Sequence, residues 1–173
     1  MAGLAVVAAV LAGAPAQAGS RAAVSGSAVD RVYVTQVRLT GKAAKPRGEP
    51  QAFGTVTICV VPVSSSISYG FEELLITSAP TAAHIHRGAA GVVGPIVFAF
   101  ARPGAVDPLI GDVQWYGGGK ATKSAIAALV ASPGKHYVNV HTRKHPNGAV
   151  RGQLGSWRIL PRDAATPAVC AAD

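Results

Sequence analysis

At positions 84–86 the chain reads His-Ile-His. On an extended segment residues two apart share a face, so both imidazoles project one way and Ala83 and Ile85 the other. Paired neutral imidazoles are a natural start for a transition-metal site, since copper and zinc both accept nitrogen ligands. A third histidine, His141, closes the run Tyr-Val-Asn-Val-His-Thr at 137–142. Alternation there sets Tyr137, Asn139 and His141 against Val138 and Val140. If the two segments are neighbours, His84, His86 and His141 converge on one ion. If they are not, the same rings belong to a hydrogen-bonded network that only fixes loops. Spacing leaves both readings open. Arg151 alternates with Val150 and reads either as an anion-attracting, ligand-supporting group or as a structural arginine bonding loop carbonyls. Asn139 orients a histidine or bridges strands. His136 and His145 flank the His141 segment outside its pattern.

No other catalytic constellation stands out. The serines at 64–66 lack a G-x-S-x-G context, and no phosphate loop or dinucleotide fingerprint occurs. Glu72 and Glu73 are adjacent, which on a strand sends them to opposite faces. Charge is more informative. Sixteen Lys and Arg oppose eight Asp and Glu, a formal net charge of +8. Lys135, Arg143 and Lys144 lie in a basic stretch, 113–162, that holds no acidic residue. Such a surface suits anionic glycans, wall polymers or lipid headgroups, and otherwise serves solubility. No nucleic-acid module signature accompanies it.

The elements that must position these residues are short. With 173 residues, 20 Gly and 12 Pro, the chain suits one all-β domain better than a helical bundle. Strands are expected at 31–40, 53–63, 67–76, 82–86 and 96–100, with a basic Gly/Pro loop at 41–50 and a turn at 78–81. Residues 122–131 are the one convincing helix, ended by Ser132-Pro133-Gly134. A hairpin follows, 137–142 and 149–154, turning at Pro146-Asn147-Gly148. Residues 1–18 carry no charge, have an apolar core at 4–11 and end in Ala-Gln-Ala, as a signal peptide does, though without a basic start. The expected organisation is therefore signal peptide 1–18, flexible leader 19–30, domain 31–160 and tail 161–173. Apart from the leader, no apolar run reaches the roughly 18 residues of a spanning helix. Cys59 and Cys170 are the sole cysteines and, in an exported chain, pair most simply as one disulfide.

Two blocks, TAAHIHRGAAGVVGPIVFAF and YVNVHTRKHPNGAVRGQL, closely resemble the signature blocks of the CHRD (chordin-type) domain found in bacterial exported proteins. Leu39-Thr40-Gly41 and Gly54-Thr55-Val56 are similar to the family's opening. The resemblance spans about 31–155, departing at Arg87, often Gly in the family, and Ala149, often Glu. It implies an antiparallel Greek-key β-sandwich like that of copper/zinc superoxide dismutases. By that likeness His84, His86 and His141 match three copper ligands, with copper ahead of zinc. The dismutase zinc loop has no counterpart in RGAAGVVGP. The expected function is an exported binding or structural module at the cell surface or outside the cell, carrying a three-His site. The alternatives are a copper-dependent, dismutase-like redox enzyme and a basic polyanion-binding protein with structural histidines.

Overall fold

The computed structural model describes residues 31–101, 115–162 and 167–170. The expected signal peptide and leader lie outside the described residues. The elements are β1 (Arg31–Thr40), β2 (Phe53–Val61), β3 (Ser66–Leu75), β4 (Pro80–Arg87), β5 (Ile96–Ala99), β6 (Trp115–Lys120), α1 (Lys123–Ala131), β7 (His136–Thr142), β8 (Val150–Gln153) and β9 (Arg158–Pro161). All strand pairs are antiparallel, in the order β5-β4-β7-β8-β1-β2-β3-β6, with β9 extending the pairing of β1. Neighbours distant in sequence, such as β4 with β7 and β3 with β6, require long crossovers of the Greek-key kind.

The sheet curls until its ends face each other. A Cβ on Gly119 of β6 would stand 3.4 Å from the Phe98 ring of β5, and the Ala101 amide donates to the Tyr69 hydroxyl at 2.8 Å. The result is an all-β, sandwich-like body around one core. Its centre is aromatic, with Phe71 stacked on Trp115 and Tyr69 tilted against Phe100. Ala83, Ile85, Val138 and Val140 are buried in that same core. The faces predicted for β4 and β7 therefore hold, and the polar sides of both strands point outward. Helix α1 begins where expected, because the Thr122 hydroxyl accepts from the Ala125 amide at 3.1 Å. It buries Ile126 and Leu129.

Several local expectations are corrected. The 78–81 turn is shorter, since β4 already begins at Pro80. The 41–50 loop is only partly exposed: Gly48 donates to the Gly41 carbonyl, Glu49 donates to that of Ala149, and Glu49 is itself buried. Glu72 and Glu73 are both exposed, because a bulge with Glu73 at φ 51° breaks the alternation. Strands β6 and β9 were not expected at all. A second small cluster, Val32, Val34, Cys59 and Val61 with Cys170, lies outside the main core. There the tail covers what β1 and β2 would otherwise expose. Cys59 and Cys170 are joined in a disulfide.

Candidate metal centre

Strands β4 and β7 pair directly, His84 opposite Asn139, His86 opposite Tyr137 and Ala82 opposite His141. The outward faces of the two strands thus bring the three histidines together across a sequence separation of 57. One ligand nitrogen from each of His84, His86 and His141 lies within 4.8 Å of the other two. The Nδ1 of His84 and the Nε2 of His141 are 3.1 Å apart. Two nitrogens bound to one ion at about 2.0–2.1 Å, at near-tetrahedral angles, stand about 3.1–3.4 Å apart, so this pair is already at ligand spacing.

Hydrogen bonds fix which nitrogens are free. The Nδ1–H of His86 donates to the Gly94 carbonyl at 2.8 Å. That of His141 donates to the Pro146 carbonyl at 2.9 Å. Each bond assigns the lone pair to Nε2. The His86 Nε2 is buried with no partner, an orphaned acceptor that a cation would satisfy. His84 donates its Nδ1–H to the Nε2 of His141, so loading an ion requires that proton to move to the His84 Nε2. Burial, and then the neighbouring His141 and His86, push His84 down to about 4. Burial also lowers His86, against the Gly94 bond that favours its charged form. Both rings are held neutral, as ligation needs.

The shift carries a sign. Above about pH 6.5 His84 is neutral folded and unfolded. As pH falls toward about 4 the unfolded chain takes up a proton that the folded chain refuses, so stability is lost across that window. The metal-free protein should therefore melt progressively lower between pH 6.5 and 4, and His84→Asn should flatten part of that slope. Equal slopes for wild type and variant would show that His84 is not held neutral by the fold.

A second layer of residues supports the rings. Tyr137 stacks on His86, with centroids 4.9 Å apart and planes 6° from parallel. The Arg151 guanidinium lies 3.4 Å from the Tyr137 ring centroid. Arg151 is 3% exposed and donates to the carbonyls of Ala89 and Val92 at 2.9 and 3.0 Å. It thus tethers the loop whose Gly94 carbonyl orients His86. Asn139 donates to the Asn147 carbonyl at 3.1 Å and bridges β7 to its turn. Gly148 at φ 131° lets that turn pass, since a Cβ there would collide with the Asn139 amide. His136 is buried and donates to the Ser132 carbonyl at 2.9 Å, outside the cluster. Lys135, Arg143 and Lys144 are exposed, the first before β7 and the others after it. Sequence reasoning passed over Tyr137 and Gln153 as loop anchors. Gln153 donates to Gly88, Gly134 and His136 carbonyls. Its spacing of two from Arg151 was the available signal.

The CHRD domain family model matches residues 35–154. The chain belongs to the CHRD domain family. No curated protein and no solved structure matched in the corresponding searches. CHRD membership supports a structural or binding module, and together with the disulfide it is consistent with an extracellular protein. Among the described residues no helix is long and apolar enough to cross a membrane.

Proposed function

We propose that this CHRD chain is an exported module, outside the cell or on its surface, that holds one transition-metal ion on His84, His86 and His141, copper in preference to zinc. The observation that carries the reading is a buried, unpartnered Nε2 on His86, in a ring that offers a ligand nitrogen within 4.8 Å of those of His84 and His141. Three imidazole donors fit copper and zinc, and copper is the tighter of the two on a given nitrogen site. Bound copper would supply a Lewis-acidic, redox-active centre with a position left for an exogenous ligand. The chain's own part is to keep His84 and His86 neutral and to aim them through Gly94, Tyr137 and Arg151. Metal analysis of the purified protein after dialysis against copper and zinc together tests the reading. About one copper per chain supports it, and no retained metal overturns it. A superoxide assay on the loaded protein then separates a binding module from the dismutase-like alternative.

Arg151 gives a sharper test of the supporting layer. Replacing it with Met removes both carbonyl bonds and frees the loop that orients His86, and supporting residues of this kind are worth about 10–100-fold in metal affinity. Arg151→Lys should fail to restore it, because an ammonium has no planar face to lie on the Tyr137 ring while its nitrogen reaches the Ala89 and Val92 carbonyls. Metal titration at pH 7 reads the difference, and unchanged affinity in both variants would remove Arg151 from the site.

The basic surface supports a further contact, with anionic glycan, wall polymer or lipid headgroups. The length of β7 sets Lys135 roughly 25 Å from Arg143 and Lys144, a spacing suited to an extended anionic surface rather than to one compact ligand.

A further inference from the structure

We propose that the loop over the metal centre, residues 88–96, docks this protein onto an anionic lipid bilayer by inserting its apolar tip. The proposal rests on the anionic-surface reading above and narrows it to lipid. From Gly88 to Val97 ten consecutive residues carry no polar side chain. Among the described residues seven large hydrophobics are strongly exposed, and three of them fall here: Val92 at 53%, Val93 at 68% and Ile96 at 53%. Singly exposed apolar side chains are ordinary, but a contiguous exposed apolar segment marks a contact surface.

The loop's backbone is prepared for a dry environment. Its carbonyls at Gly88, Ala89, Val92 and Gly94 are taken up by Gln153, Arg151 and His86. The Gly94 amide donates to the Tyr137 hydroxyl at 3.2 Å, and Pro95 has no amide hydrogen to satisfy. Unpaired backbone groups are what makes loop insertion into hydrocarbon costly, and these bonds meet part of that cost from within the fold. The polar bonds point inward and the methyl groups outward.

Charge selects the partner. Arg87 donates its amide to the Pro95 carbonyl and Gly88 donates to that of Lys135, so exposed Arg87 and Lys135 flank the base of the loop. No acidic residue lies between 74 and 106. Apolar tip and cationic base match acyl chains and anionic headgroups in depth order. A protein partner would use the same methyls without needing the flanking charge.

The test is co-sedimentation of the mature, disulfide-bonded protein with phosphatidylglycerol-containing vesicles, alongside neutral phosphatidylcholine vesicles and heparin beads. Binding to the anionic vesicles is expected, falling about tenfold in Val92→Ser/Val93→Ser and at least about tenfold in Arg87→Gln/Lys135→Gln. As Cys59 and Cys170 are paired, Val93→Cys accepts a single environment-sensitive fluorophore, which should brighten and shift to the blue on anionic vesicles. Equal vesicle binding by the double serine variant, or an unchanged fluorophore on bound vesicles, overturns insertion. Retention on heparin without vesicle binding overturns the lipid assignment and leaves the anionic-polymer reading standing. Failure on all three surfaces removes both.

Discussion

Copper(II) added to the metal-free protein at pH 7 is expected to saturate at about one ion per chain, and each of His84→Ala, His86→Ala and His141→Ala to weaken binding by about 100-fold or more. His136→Ala should leave it within a few-fold, since that ring is committed to the Ser132 carbonyl. His86 should be the most costly loss. Its Nε2 is already buried, stripped of partners and aimed by Gly94 and Tyr137, so it contributes with the least rearrangement. His84 must first surrender the proton it shares with His141. Protons compete with metal for imidazole, and an ordinary histidine would lose the contest below about 6.5. Burial keeps His84 neutral to about 4, so His84→Asn should remove less of the copper affinity's pH dependence between 7 and 5 than an ordinary histidine ligand would account for. Isothermal titration at pH 7, 6 and 5 checks this. Sub-stoichiometric copper at pH 7, or single variants that titrate like wild type, would return the three rings to a loop-fixing role.

How much of this was legible can be argued residue by residue. The pairing of His84 with His86 followed from a spacing of two, and the isolation of Asn139 and His141 from the core followed from Val138 and Val140. What spacing could not supply was that β4 lies beside β7. Between them run β5, β6 and α1, and such non-local pairing is decided by the crossover, not by either strand. The family blocks supplied it. Strand β6, Trp-Tyr-Gly-Gly-Gly-Lys, was invisible because three glycines erase both alternation and strand propensity. Its state is set by pairing with β3. Strand β9 ends in Pro161 and is ordered by pairing with β1. The outer burial of Val32 and Val34 was equally unreadable, because alternation says which residues share a face but not whether a distant tail will cover it.

Reducing the Cys59–Cys170 disulfide in the metal-free protein is expected to lower its melting midpoint by about 10–15 °C. The bond closes a loop of 111 residues, which on the chain-entropy account limits the unfolded state by about 4–5 kcal/mol. For a domain of this size each kcal/mol corresponds to about 2–4 °C. The structure adds a contribution from the folded side. Cys170 sits with Val32, Val34, Cys59 and Val61 in the small cluster outside the main core, and Leu160 and Val169 pack on it. Val169 also lies against Gly70, where a Cβ would come within 2.9 Å. A freed tail would uncover these residues and add surface to the loss. The metal centre should be spared, since β8 and β1 separate β7 from the bridged strand β2 and sites that far apart act nearly independently. Cys59→Ala/Cys170→Ala, compared with wild type in scanning calorimetry and in copper titration below its melting point, makes the measurement without reductant. Intact mass after alkylation, with and without prior reduction, confirms the starting state. An unchanged midpoint in the double variant would mean that packing of the tail alone secures it and that the cross-link adds no stability.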